Sequence, residues 1–240
     1  MANFTDLVRA ARAIPARRLA RGLARSPLTM RAEAQLSQLP RVELSELAGE
    51  VSFTAEVASA QSRHAWSLGA AEQIVLQALV VGRGVQSAFE VGTFNGGTTR
   101  LLAEALPADG RVVTLDLPPR VFDQTQSPEA FQGSDVGFAY ASSPAVGKIT
   151  QLLDDSLSFD STPYLASFDL VLVDGGHEYR HGLADTVTAL RIVKPGGLIL
   201  WDDFEPHWHG LVRGICEAME GRRLVRLAGT SLGAYSASDC

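Results

Sequence analysis

Two segments of this chain are apolar almost without a break, and both stop at acids. Phe168-Asp169-Leu170-Val171-Leu172-Val173 is followed by Asp174, and Leu198-Ile199-Leu200-Trp201 is followed by Asp202 and Asp203. A strand with one wet face alternates polar and apolar residues. A strand that does not alternate is covered on both faces, as in a parallel sheet between two layers of helices. The flanking sequence supplies those layers. Ala71, Ile74, Val75, Ala78 and Leu79 repeat at helical spacing from Ser67 onward, and Gly82 and Gly84 end that helix. Strands at Ala88–Val91, Arg111–Leu115 and Lys148–Leu153 then alternate with helices at Thr98–Ala105, Leu183–Val193 and Val212–Glu220. The second of these helices stops before Lys194-Pro195-Gly196-Gly197, which reads as a turn. Arg222–Leu227 and Ser231–Ser236 form a closing pair. The expectation is an α/β fold: a doubly wound, mostly parallel, seven-stranded sheet.

The amino-terminal part differs in charge. Residues 1–31 hold seven Arg and one acid, whereas the remaining chain holds 14 bases and 26 acids. Residues 4–25 read as two short helices broken at Pro15, and Ser26-Pro27 as a stop; residues 42–62 read as helix or irregular cover. The expected division is a helical arm and cover over 1–65 and the main domain over 66–240. A basic arm on an acidic body can pack on that body, on a second subunit, on nucleic acid or on an anionic membrane; it also has some look of a targeting segment. A homo-oligomer is expected, with no nucleic-acid partner, because the acidic body lacks the positive surface that phosphates require. No apolar run is long enough to span a membrane. Cys216 and Cys240 make no disulfide framework, and with no CxxC they read as free thiols of a cytoplasmic protein. Leu117–Gly147, with four prolines and three Phe, is long for a crossover. It reads either as a loose loop or as a wall over a ligand.

The first chemical signal is Glu90-Val91-Gly92-Thr93-Phe94-Asn95-Gly96-Gly97-Thr98, a glycine turn from strand to helix. Glycines let the backbone turn sharply, and a helix start offers free N–H groups to an anionic end of a ligand. Thr98 can add a hydroxyl. Asp116, at the end of the next strand, is placed to accept from a ribose diol. The GxGxxG spacing of dinucleotide enzymes is absent. An adenosine with an amino-acid tail fits better, with Glu90 near its positive groups and Thr98 near its carboxylate; Gly92, Thr93 and Gly96 line the turn.

The second signal is the acids themselves. Asp174, Asp202 and Asp203 end neighbouring strands, and ligands of open parallel sheets gather at the carboxyl ends. Three uncompensated carboxylates repel, so a positive partner is expected; an all-oxygen donor set suits a hard cation such as Mg²⁺. Strand-end acids that merely cap the next turn are the alternative. His177 follows Asp174 by three residues, and an unperturbed imidazole pKa of about 6.5 suits proton removal near neutrality. It can also serve only to hydrogen-bond its loop. His207 and His209, flanking Trp208, are alternative bases or part of a substrate wall.

Taken together, EVGTFNGGT, VVTLDL, LLDDS, LVLVDGGHEY and KPGGLILWDDF resemble class I S-adenosylmethionine-dependent methyltransferases. The closer resemblance is to the metal-dependent O-methyltransferases, both the catechol type and the macrolide- and aminocoumarin-sugar type, over residues 66–236. The resemblance implies a Rossmann-like methyltransferase sheet and S-adenosylmethionine as cofactor. It implies Asp116 on the ribose, Asp155 and Ser156 near the adenine, and Leu68 over the methionine end. Asp174, Asp202 and Asp203 match its metal-ligand positions, so Asp174 serves metal and cofactor and counts as catalytic with His177. His177 stands where the catechol branch has Lys, and Asp203 where that branch often has Asn. The implied activity is Mg²⁺-dependent methylation of a sugar hydroxyl in a glycan or small molecule, through a chelated vicinal diol. A catechol or other phenol is the alternative acceptor, and a non-catalytic cofactor-binding protein the alternative class.

Overall fold

The computed structural model describes residues 26–55, 68–118 and 136–237. The helices expected over 4–25 and most of the 117–147 loop lie outside these residues. The described chain opens at Ser26-Pro27 with a helix, α1 (Pro27–Ser37). Ser26 is its N-cap: its hydroxyl accepts from the Thr29 N–H at 3.1 Å, and Pro27 sits at the first helical position, where no N–H is needed.

A two-residue strand, β1 (Arg41–Val42), and a short helix, α2 (Leu44–Ala48), follow. The alternating body then runs α3 (Ala70–Gly82), β2 (Ser87–Val91), α4 (Gly97–Ala105), β3 (Arg111–Asp116), β4 (Ile149–Leu153), β5 (Phe168–Val173), α5 (Tyr179–Ile192), β6 (Val193–Trp201), α6 (His209–Ala218), β7 (Val225–Leu227) and β8 (Gly233–Ser236). The sheet has eight strands in the order β1-β7-β8-β6-β5-β2-β3-β4, not seven; the extra one is β1, paired parallel to β7 at one edge. All neighbours are parallel except those of β8, which runs against both β6 and β7. No described helix is long and apolar enough to cross a membrane.

The apolar strands are covered on both sides, as their composition requires. One layer of core joins α3 and α4 to Ala88, Leu170, Leu172, Leu198 and Leu200. The other joins α1, α5 and α6 to Phe89, Val171, Val173, Ile199 and Trp201. Lys194-Pro195-Gly196-Gly197 is not a free turn but the opening of β6. There Gly196 N–H donates to Ala237 and Ala237 N–H to Gly197, at 2.7 and 2.8 Å, and the register against β5 shifts between Phe168 and Leu170. An irregular strand start is where a proline can sit without costing a ladder bond.

Strand order reverses at β2, with β3 and β4 to one side and β5 and β6 to the other. In a sheet wound this way, that point leaves a crevice outside the carboxyl ends. The ladder continues one bond past the strands: Gly92 N–H donates to Leu115 O, Asp174 N–H to Val91 O, Asp202 N–H to Val173 O and Asp154 N–H to Asp116 O. These bonds set Gly92, Asp116, Asp174 and Asp202 side by side along one rim.

Candidate active site

The glycine turn lies at the centre of that rim. Gly92 has φ +97°, and a Cβ there would stand 1.9 Å from the carbonyl oxygen of Asp174, so only glycine lets the two strand ends approach. Gly96 (φ +83°) also meets a packing demand: a Cβ on it would strike the ring of Tyr140 and the backbone of Gly137. The segment after the long loop closes onto the turn here, with Gly137 N–H on Phe94 O and Ala139 N–H on Asn95 O, both 2.9 Å. The Asn95 side chain accepts from Gly97 N–H at 2.9 Å and shapes the start of α4.

Glu90 is fully buried beneath the turn. One carboxyl oxygen accepts from the hydroxyls of Thr99 and Thr114, the latter at 2.6 Å, and the other has no partner. Burial raises its pKa to about 7 against the pull of the two hydroxyls, with Asp116 adding to the rise. A buried carboxyl oxygen without a donor is the feature that the ammonium end of an amino-acid tail would satisfy. From α4 it is Thr99 that bonds Glu90, while Thr98 stands half-buried on the first turn. Thr93 is tied to Thr114 at 2.7 Å and accepts from Gln151 at 2.9 Å.

Asp116 receives Phe94 N–H on one oxygen and Leu117 N–H on the other, at 2.6 and 2.7 Å. Its pKa is raised nonetheless, because burial outweighs those donors. Asp155 and Ser156 follow β4, where Asp155 accepts from Leu157 N–H at 3.0 Å. The Ser156 hydroxyl approaches Asp185 on α5 closely enough to hold its acidity up somewhat, though outside hydrogen-bond geometry; Asp185 is buried without a bonded partner, and burial raises its pKa to about 7. Leu68 is buried at the entry to α3, its carbonyl accepting from the Gln73 side chain at 2.8 Å.

The acids of β5 and β6 meet the same rim. The Asp174 pKa is raised well above the carboxylate range, by burial first and then by Asp202, Asp203, Glu90 and Asp116. Asp202 is pushed up to about 7 by burial and by Asp203. No basic side chain pairs with either among the described residues. Asp169, at the opposite end of β5, makes the contrast. It is bound by Lys194 at 2.7 Å, by the N–H groups of Gln86 and Ser87 and by the Ser87 hydroxyl, and its pKa is lowered overall although burial opposes this. Asp169 is neutralised by its partners, whereas Asp174 and Asp202 on the carboxyl rim have no basic partner among the described residues.

Asp203 adopts φ +52°, a left-handed conformation uncommon outside glycine. Its carboxylate lies 2.7 Å from His177 Nε2, and the His177 ring stacks on Trp208 with centroids 4.0 Å apart. The Trp208 indole N–H is buried without an acceptor. His207 pairs with Glu205 at 3.4 Å and tilts against Trp208, and His209 opens α6. Of the three histidines, His177 is the one joined to the acid rim.

The rim's charge and all-oxygen donors fit a hard cation or the positive end of a cofactor. Among the described residues no three His, Cys, Asp or Glu side chains are already drawn together as a metal cage. A cation here would gather Asp174 and Asp202, and Asp203 would have to share it with His177.

Residues 89–204 match the model of a family described as a methyltransferase domain. Caffeoyl-CoA O-methyltransferase 2 of Petunia hybrida is 25% identical over 164 residues, which are 65% of this chain and 62% of that protein. The chain thus matches a little under two thirds of the length of this curated relative. A putative O-methyltransferase from Klebsiella pneumoniae shares the fold with a TM-score of 0.54 at 18% identity, over 98% of this chain and 95% of that one. The O-methyltransferase TomG from Streptomyces achromogenes, solved with S-adenosylmethionine, gives 0.53 at 21%, over 72% and 82%. Residues 89–204 are thus similar to a methyltransferase domain, and the chain shares its fold with these solved O-methyltransferases.

Proposed function

We propose that this protein transfers the methyl group of S-adenosylmethionine to one of two adjacent hydroxyls on a small acceptor, with a hard divalent cation such as Mg²⁺ held by Asp174, Asp202 and Asp203. The observation that carries the proposal is the excess of carboxylate on the carboxyl rim, set against the fully neutralised Asp169 at the other edge. A cation bound there would acidify a chelated hydroxyl and fix its direction. The acceptor oxygen attacks the methyl carbon as the carbon–sulfur bond breaks, giving a methyl ether and S-adenosylhomocysteine. The hydroxyl proton goes to His177, whose Nε2 is engaged by Asp203 and whose Nδ1 is left to accept. Asp203 then steadies the charged ring, and Trp208 fixes its plane. Glu90 takes the ammonium end of the cofactor, Asp116 the ribose, and Asp155 and Ser156 the adenine end.

The name of the Petunia relative and the aromatic wall of Trp208 favour a catechol-like or other phenolic acceptor. A sugar diol is the second candidate, favoured by Asp203 and His177 where the catechol branch carries Asn and Lys. One experiment separates the candidates: S-adenosylmethionine with catechols, sugar diols or RNA, in chelator and again with Mg²⁺ restored. Methyl gain on a vicinal-hydroxyl small molecule only with Mg²⁺ is expected. Equal transfer in chelator removes the metal, methylated RNA redirects the proposal, and cofactor binding without transfer to any acceptor points to a non-catalytic protein.

His177→Ala is expected to lower kcat by about 10²- to 10⁴-fold, the usual range for a lost general base, without changing the affinity for S-adenosylhomocysteine. An unchanged kcat removes His177 from the chemistry.

A further inference from the structure

We infer that Ser231 is a positioning residue for the rim cation, holding one carboxylate oxygen of Asp202 so that the other is presented to the metal. This rests on the metal-dependent function proposed above. Ser231 lies in the turn between β7 and β8, and two other parts of the chain, the start of α3 and the segment after β6, meet on it. Its hydroxyl is 2.9 Å from Asp202 Oδ1. Its N–H donates to Glu72 Oε1, in the first turn of α3, at 3.2 Å. Its carbonyl accepts from Phe204 N–H at 2.9 Å. The same Glu72 oxygen is also 3.4 Å from the hydroxyl, but a hydroxyl has one proton, and the shorter contact is Asp202. Glu72 is served by the main-chain N–H, so the side chain is free to serve the metal ligand.

The turn does not need that hydroxyl to close. Leu227 N–H donates to Leu232 O at 2.9 Å, the Thr230 hydroxyl donates to Leu227 O at 3.0 Å, and Leu232 N–H donates to Thr230 Oγ1 at 3.1 Å. Removing Oγ from Ser231 therefore leaves the hairpin and the Glu72 contact in place and loosens the Asp202 carboxylate, which keeps the Asp203 N–H as a donor. Outer groups that orient metal ligands typically change affinity by about 10- to 100-fold when lost.

The test is direct Mn²⁺ binding to the full chain, read as free Mn²⁺ by electron paramagnetic resonance, for wild type, Ser231→Ala, Ser231→Thr and Asp174→Asn. Calorimetric affinity for S-adenosylhomocysteine is measured alongside. Expected is a Mn²⁺ dissociation constant about 10- to 100-fold higher in Ser231→Ala, recovered in Ser231→Thr, with the nucleoside affinity unchanged in both. Wild-type Mn²⁺ affinity in Ser231→Ala, with binding lost in Asp174→Asn, overturns the role of Ser231 and leaves the metal site standing. No Mn²⁺ binding by the wild type overturns both. An equal fall in nucleoside affinity in Ser231→Ala reduces Ser231 to a structural part and also overturns the inference.

Discussion

Asp174→Asn is expected to abolish methyl transfer while leaving the protein folded. The substitution keeps the size of the side chain and the backbone bond from residue 174 to Val91 O. What it removes is the charge on which the proposed cation depends. Losing the several kcal/mol that a bound metal contributes to such a transition state corresponds to about a thousandfold or more in kcat/KM. The effect on folding should run the other way. Asp174 is opposed by Asp202, Asp203, Glu90 and Asp116 and has no basic partner, so a neutral side chain relieves repulsion. A melting temperature equal to or above that of the wild type, together with lost activity, is the signature of a group kept for function at some expense of stability. A variant that keeps more than about a tenth of the rate, with an unchanged Mg²⁺ requirement, has lost far less than a metal ligand supplies, and Asp174 then leaves the proposed site.

The parts of this architecture that were legible in the sequence are those where one physical demand dominates. A strand covered on both faces cannot hide its composition, so β5 and β6 stand out, and the acids that end them stand out against the apolar run. Glu90 and Asp116 are visible for the same reason. Thr99 and Thr114, which grip Glu90, are not, because threonine is ordinary in strands and helix starts. In an otherwise apolar Val112-Val113-Thr114-Leu115, the lone hydroxyl was the available signal. β1 is illegible because two residues carry no period; its existence depends on β7 lying beside it. Ser26-Pro27 and Lys194-Pro195-Gly196-Gly197 show a different difficulty: proline both breaks and starts elements, and only the surrounding partners decide which. Ser231 and Glu72, 159 residues apart, meet through the closing of the sheet and leave no local mark.

Glu90→Gln should separate the two demands on the central carboxyl by pH. In the unfolded chain this group has a pKa of 4.5; in the ligand-free fold it is about 7. Between those values the folded protein holds a proton that the unfolded chain has released, so ionisation of Glu90 lowers stability as pH rises from 4.5 toward 7, and the loss is complete above about 7. The penalty is on the order of 3 kcal/mol. Glutamine carries no such penalty. The ligand-free variant should melt with the wild type near pH 4.5 and above it by a margin that grows to neutrality and then stays constant. Cofactor binding should respond in the opposite sense. In the proposed site the ammonium end of S-adenosylhomocysteine would pair with the ionised carboxylate, and losing one charge-assisted hydrogen bond of about 1.5–3 kcal/mol is expected to weaken binding roughly 10- to 100-fold. In the wild type the ligand must also drive off the Glu90 proton below neutrality, so its binding enthalpy near pH 6 should depend on the ionisation heat of the buffer, and that dependence should vanish in the variant. A melting difference that does not change with pH shows that burial leaves Glu90 an ordinary carboxylate. An unchanged affinity for S-adenosylhomocysteine shows that its unpartnered oxygen faces something other than the cofactor.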